Sequence, residues 1–359
     1  MYFIFHFFCL QLIKFYKKLF SLKFLSQHSF PFPILSVGNV SLGGTGKTPF
    51  IYYLAQLCCK LKIKHVIVSR GYKKTSSGLC IVHDGNQLLC TDPLIAGDEP
   101  VMLAFKLKQT PILVDNKKQR ALSYVKQAFP KHLVLLDDSF QSHYIIKNFE
   151  IVLFNSLLQK QALRLFPFGQ LREPLTALSR ANLIVFTKQN LQQKQNSAIN
   201  AVLNIVKKHN IPYFYSDFSF LLTKYSIKKH GSLRWETTPL QQLPKNNLLL
   251  LCCGIGDPES FKQTVQQYKP NICKSLVFSD HYNYHKNEKA FISQIQGLYS
   301  QHSFNGLLTT EKDFVKIKSL SSSCLSWFAQ KKINLFIVDI KIQLQKEIAF
   351  IEYIKNLAP

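Results

Sequence analysis

From Ser41 to Thr48 the chain reads Ser-Leu-Gly-Gly-Thr-Gly-Lys-Thr. Gly43, Gly44 and Gly46 let backbone N–H groups curl round an anion, Lys47 adds an ammonium, and Thr48 adds a hydroxyl suited to a hard cation. The pattern is G-x-x-x-x-G-K-[ST] with Ser41 in place of the first glycine. The apolar run "ILSVGNV" precedes it and the helix-periodic "TPFIYYLAQLCCKL" follows. Strand, loop and helix in that order are what a phosphate cradle needs. Ser41, Leu42, Gly43, Gly44, Thr45, Gly46, Lys47 and Thr48 are therefore expected to hold a nucleoside triphosphate. Lys47 belongs near its β- and γ-phosphates, and Thr48 belongs on Mg²⁺.

Such a loop needs an acidic partner on a neighbouring strand. "HLVLLDDSFQ" supplies it, with Asp137 and Asp138 at the end of an apolar run where a carboxylate holds magnesium directly or through water. "FTKQN" is close to a guanine-reading T-K-x-D, but Asn190 stands where the aspartate is needed, so ATP is expected rather than GTP. Further polar clusters follow apolar segments or lie in proline-fixed loops. They are Asp98 and Glu99 in "AGDEP", Arg172 and Glu173 in "PFGQLREPL", Asp280 and His281 in "FSDHYNY", and Glu311, Lys312 and Asp313 in "LLTTEKDF". The carboxyl side of the strands is where α/β sheets bind ligands. His281 and His285 are four apart, but no third ligand stands near them in the sequence, so they are not read as a metal pair.

The elements that must position these groups are short apolar strands, such as "KHVIVSRGY", "TPILVD", "FEIVLFN" and "ANLIVFT", alternating with helical segments such as "KKQRALSYVKQAF". That alternation predicts an α/β fold with a mostly parallel sheet and helices on both faces. A polar stretch from Gln189 suggests a division near residue 190, giving a phosphate-loop domain over 28–190 and a second, smaller α/β domain over 191–359. Residues 1–27 form a third segment. "MYFIFHFFCLQLI" is too short to span a bilayer, which takes about 20 apolar residues. Its charge follows the apolar run, unlike a secretory signal. At helical spacing Phe8, Leu12, Phe15, Leu19 and Leu22 share one stripe, with Lys14, Lys17 and Lys18 opposite. That is the pattern of a helix lying in a membrane interface, its lysines toward anionic headgroups on the cytosolic side.

The net charge of +25 calls for an anionic partner. The lysines are spread along the chain without a basic-aromatic module, so an anionic membrane surface fits better than nucleic acid. The nine cysteines form no C-x-x-C pair and several lie in apolar runs, as in "LLLLCCGIG", which argues for reduced thiols rather than a disulfide frame or a zinc site.

Taken in order, "SVGNVSLGGTGKTP", "SRGY", "GDEP", "LDDSFQ", "GQLREPL", "ANLIVFTK", "GIGDPESF", "FSDHY" and "TTEKDFVK" resemble the tetraacyldisaccharide 4'-kinase family over about residues 31 to 316. The resemblance implies a two-domain phosphate-loop fold with its active site in a cleft. It also implies ATP- and magnesium-dependent phosphorylation of the 4'-hydroxyl of a tetraacyl glucosamine disaccharide 1-phosphate. The family works at the cytosolic face of the bacterial inner membrane. By the same resemblance Asp98 matches the family's base and His281 its partner; the loop and the acidic strand end themselves put Lys47 on the γ-phosphate and Thr48, Asp138 and Asp137 on magnesium. Arg172 is expected to neutralise transition-state charge or to grip the substrate's 1-phosphate. Glu173 is expected to assist magnesium or to pair with Arg172. The family usually reads D-D-x-x-Q-H-R where this chain has "DDSFQSHY", so Ser142 takes the histidine position and His143 the arginine position. The alternative is a membrane-associated phosphate-loop ATPase or GTPase switch, which leaves "GDEP" and "DHY" without a task.

Overall fold

The computed structural model describes residues 11–13, 15, 16, 18–20, 22, 24–192, 197–227, 233–239 and 247–355. Along the chain the strand β1 (Ile34–Asn39) leads through the glycine loop into α1 (Lys47–Lys60), then β2 (His65–Ser69), β3 (Cys80–His83), α2 (Asp98–Lys106), β4 (Ile112–Val114), α3 (Lys118–Ala128), β5 (Leu133–Asp137), β6 (Phe149–Asn155) and β7 (Leu183–Thr187). There follow α4 (Ser197–Lys208), the long strand β8 (Tyr213–Ile227), β9 (Leu233–Pro239), β10 (Leu249–Cys253), α5 (Pro258–Gln266), β11 (Ile272–Val277), α6 (Glu288–His302) and β12 (Gly306–Thr310). The chain closes with α7 (Glu311–Ile317), α8 (Ser322–Gln330), β13 (Asn334–Leu344) and α9 (Glu347–Lys355).

Two compact units emerge. The first takes the described residues as far as Ala96, then Leu103–Phe218 and the chain from Ile342, and the second takes Gly97–Met102 and Ser219–Lys341. In the first unit the strands lie in the order β3-β4-β2-β5-β1-β6-β7 and then the start of β8. All neighbours are parallel except β3 and β4. Every residue of β1, β2, β5 and β7 is buried, the expected state of a parallel strand covered on both faces. One face packs Ile34, Val66, Val134 and Leu136 against Ala121, Leu122 and Val125 of α3. The other packs Val152, Phe154, Ile184 and Phe186 with Ala198, Val202 and Val206 of α4, spaced one helical turn apart. The returning α9 sets Phe350 edge-on to Phe50 of α1, ring centroids 6.1 Å apart, and Glu347 accepts from the Tyr53 hydroxyl at 2.8 Å.

The second unit orders its strands β11-β10-β12-β13, then the end of β8, with β9 beyond it. The pairs β10–β11, β10–β12 and β12–β13 are parallel, and β8–β9 is antiparallel. Its core gathers Leu250, Cys252, Phe291, Ile295, Phe304, Leu307, Phe328 and Leu335. The polar stretch after Gln189 leads into α4 of the first unit, and the chain passes between units inside β8 instead. That strand alternates buried Ser216, Phe218, Phe220 and Leu222 with half-buried neighbours, and the alternation runs unbroken across the passage between units after Phe218, so the pattern marks no division there.

Of the amino-terminal stripe, Leu12, Phe15 and Leu22 are 51%, 61% and 54% exposed. Ile13 on the same segment packs, half-buried, against the first unit's core, and the Tyr16 and Phe20 rings lie 6.1 and 6.3 Å from His143. Phe8, Lys14 and Lys17 lie outside the described residues. No helix among the described residues is long and apolar enough to cross a membrane.

Candidate active site

The glycine loop is braced from several sides. Asn39, the last residue of β1, donates its amide to Ser41 O at 2.7 Å and to Thr45 Oγ1 at 3.1 Å. Thr187 at the end of β7 donates its hydroxyl to Thr45 O at 3.0 Å. Leu42 N–H reaches Gln170 O at 2.6 Å and Arg172 N–H reaches Val40 O at 2.8 Å, tying the loop to the "GQLREP" segment. Gly46 sits at φ 85°, and a Cβ there would lie 2.5 Å from Cζ of Phe218. Phe218 is held in turn, its N–H donating to Asn190 Oδ1 and its carbonyl accepting from Asn190 Nδ2. Asn190, which stands where a guanine-reading motif has its aspartate, is a backbone clamp. A Cβ on Gly44 would meet nothing within 4 Å, so its bareness serves no packing of the chain itself. The first turn of α1 carries no acid, which leaves the helix's positive end to an anion.

Because β1 pairs with β5, Val37 against Asp137, the two acidic residues follow the strand beside the loop. Asp137 accepts from Ser69 Oγ at 3.0 Å. Asp138 adopts φ 45°, a left-handed conformation that turns its carboxylate toward two cations. Arg172 Nη1 lies 3.1 Å from both of its oxygens and Lys47 Nζ 3.5 Å from Oδ1. Burial pushes the Asp138 carboxyl up, but the charges of Lys47, Arg172 and Lys118 outweigh it and hold the group below the usual carboxylate range. Beneath them Lys118 donates to Asp137 O, Asp138 O and Ser139 Oγ at 2.5, 2.6 and 2.6 Å. Burial drops the Lys118 ammonium to about 8. Glu173 accepts from Arg180 with both oxygens, at 3.0 Å each, whereas Arg172 turns to Asp138. His143 Nε2 lies 3.9 Å from Glu173 Oε1, and the His143 carbonyl accepts from Gln27.

The second unit assembles its own cluster. Asp98 opens α2, and its Oδ2 lies 3.0 Å from His281 Nδ1 and 3.0 Å from Lys316 Nζ. His281 stands at φ 59°, its N–H on Gly254 O at 3.1 Å and its Nε2 3.7 Å from Asp280 Oδ1. Burial pushes the Asp98 carboxyl up, but the hydrogen bond from His281 and the charge and hydrogen bond of Lys316 outweigh it, leaving the group ionised below its usual value. Lys312 pairs with Glu99. His285 contacts Ser319 Oγ at 2.8 Å, and no group of three or more His, Cys, Asp or Glu able to hold a metal occurs among the described residues.

The LpxK family model, tetraacyldisaccharide-1-P 4'-kinase, matches residues 3–358. The chain belongs to this family. It is 31% identical over 317 residues to the tetraacyldisaccharide 4'-kinase of Halothermothrix orenii, covering 87% of this chain and 80% of that one. It is 31% identical over 313 residues to that of Desulfotalea psychrophila, covering 86% and 85%. Among solved structures it is similar to LpxK from Aquifex aeolicus in complex with ATP, with a TM-score of 0.74 and 25% identity over 99% of this chain and 98% of that one.

Within this tetraacyldisaccharide-1-P 4'-kinase family member, the residues that sequence reasoning missed are Lys118, Asn190 as a clamp, and Lys316. Lys118 and Lys316 are 3% and 5% exposed. Their only sequence signal is position: Lys118 heads a helix after an apolar strand, and Lys316 follows Asp313 by three residues on one helix face.

Proposed function

We propose that this chain transfers the γ-phosphate of ATP to the 4'-hydroxyl of a tetraacyl glucosamine disaccharide 1-phosphate. The observation that carries the reading is the convergence of Lys47 and Arg172 on Asp138 beside a glycine loop whose Gly44 leaves its backbone open. The backbone N–H groups of Gly43 to Thr48 hold the phosphate chain, Lys47 contacts the γ-phosphate, and Arg172 neutralises charge as the phosphoryl group moves. Asp98 orients the acceptor hydroxyl and takes its proton, with His281 fixing the carboxylate.

Magnesium fits the donor set. Thr48, Asp137 and Asp138 offer hard oxygens at the ends of adjacent elements, the arrangement of an ion held by one or two carboxylates with substrate phosphates completing its shell. Glu173 is a further carboxylate, engaged by Arg180. Magnesium, when bound, neutralises charge on the β- and γ-phosphates. We place the chain at the cytosolic face of the inner membrane, held through the exposed Leu12, Phe15 and Leu22, where an acylated substrate resides.

The test is incubation of the full-length protein with radiolabelled ATP, magnesium and the tetraacyl disaccharide 1-phosphate. A bisphosphorylated lipid is the expected product, and Lys47→Ala abolishes it. Inorganic phosphate without labelled lipid favours the ATPase reading instead.

A further inference from the structure

Lys316 stands on α7 with its ammonium between two carboxylates, 3.0 Å from Asp98 Oδ2 and 3.9 Å from Asp313 Oδ1. Lysines are seldom this well covered unless paired. Asp313 is anchored in its turn. It accepts from Gly254 N–H at 3.0 Å, from the Thr310 hydroxyl at 2.7 Å and from the Tyr284 hydroxyl at 3.0 Å, and it is wholly buried. A carboxylate built into the core thus pins the ammonium, and the ammonium pins a second carboxylate. The oxygen it pins is the one that faces His281 Nδ1.

We propose that Lys316 is a positioning residue for phosphoryl transfer: it fixes Oδ2 of Asp98 beside His281, leaving Oδ1 to take the proton of the acceptor hydroxyl. The proposal rests on Asp98 being the base. In the step, the hydroxyl oxygen bonds to the γ-phosphorus while the bond from γ-phosphorus to the β–γ bridging oxygen breaks. The electron pair of that bond leaves with ADP, and the hydroxyl proton passes to Asp98 Oδ1. A side chain free to rotate would offer that oxygen only part of the time, and small misplacements in such a step are expensive.

The charged groups round Asp98 are His281 and Asp280 from the turn after β11, Lys312, Asp313 and Lys316 from α7, and Glu99 from its own helix. Of these, His281 and Lys316 contact the Asp98 carboxylate. Taking away the lysine's charge raises the carboxyl's proton affinity, so the acid limb of the rate profile moves to higher pH.

The experiment compares full-length wild type, Lys316→Met and Asp313→Asn/Lys316→Met in the lipid phosphorylation assay across pH. The double variant removes the buried anion together with its cation, so it reads the same contact if the single variant does not fold. The expected result is a fall in kcat of roughly 10²-fold, an unchanged KM for ATP, and an acid limb shifted upward. Wild-type turnover in a folded variant overturns the proposal. A rate loss that tracks the folded fraction, with the limb unmoved, overturns it too by making Lys316 merely structural. Asp98→Asn is run alongside. Full activity in that variant sinks the base assignment itself, and inactivity there with an unperturbed Lys316→Met sinks only the role of the lysine.

Discussion

Lys118 Nζ donates to the main-chain oxygen of Asp138 at 2.6 Å while that residue holds φ 45°. The same ammonium takes up Asp137 O and Ser139 Oγ, so one side chain supports the whole turn that aims the acidic pair. A non-glycine residue in this conformation is strained by about 1–2 kcal/mol, and the three acceptors offset that strain.

Lys118→Met withdraws the donor and leaves those acceptors to find others, a loss of about 1–3 kcal/mol. The turn then relaxes and Asp138 swings away from Lys47 and Arg172. The expected outcome is a lower midpoint in urea and a fall in kcat larger than the loss of folded protein explains. Wild-type turnover per folded molecule indicates a turn that keeps its shape unaided.

Gly46→Ala and Gly44→Ala separate two uses of glycine. At Gly46 the left-handed backbone and the Phe218 ring 2.5 Å from an added Cβ both oppose substitution. The variant is expected to lose about 1–2 kcal/mol of stability, to melt at a lower temperature, and to bind ATP more weakly. At Gly44 an added Cβ touches nothing, so the melting temperature stays and only ATP affinity falls. Calorimetric titration with ATP beside a thermal melt distinguishes them, and unchanged affinity in Gly44→Ala removes that residue from the phosphate contact.

The strands were legible where burial on both faces makes an unbroken apolar run, as in β1 and β5. The glycine loop was legible because phosphate chemistry dictates its spacing. Asp98 and His281 each stood out as polar residues after apolar segments, yet they are 183 positions apart, and only the family resemblance joined them. Lys118 and Lys316 were illegible. In a chain of net charge +25, a lysine committed to main-chain carbonyls, as Lys118 is, or to a carboxylate, as Lys316 is, reads like any solvated one, because residue type carries no mark of its burial. The passage between units was illegible as well, since β8 keeps one alternation through residues that belong to both.

His65 predicts how stability responds to acid. Its Nδ1 lies 3.0 Å from Ile63 O, which can only accept, so the proton sits on Nδ1 and Nε2 accepts from the Thr110 hydroxyl at 3.1 Å. Burial, the largest influence, lowers the His65 imidazole below its usual value, against the opposing bond to Ile63. The unfolded chain therefore binds the proton first as pH falls below about 6.5. Stability is full above that value and declines as pH drops through the folded imidazole's lower one. His132 and His83 are lowered by burial too and add to the same slope. Thermal melts between pH 7 and 5 on wild type and His65→Gln check the point: the variant's melting temperature depends less on pH, and parallel curves count against His65.

The amino-terminal segment separates packing from docking. Ile13 is half-buried against the first unit's core and Phe20 lies against His143, so Ile13→Ser or Phe20→Ser lowers the melting temperature. Leu12, Phe15 and Leu22 are more than half exposed. Removing them takes little from the folded state but removes the apolar area available to a bilayer, worth about 25 cal/mol per Å². Leu12→Ser/Phe15→Ser/Leu22→Ser is therefore expected to keep the wild-type melt and its ATP affinity while losing sedimentation with vesicles of anionic phospholipid. Phosphorylation of lipid presented in those vesicles falls with it, and phosphorylation of detergent-dispersed lipid does not. Undiminished sedimentation of the triple variant at physiological salt places the membrane contact elsewhere on the chain.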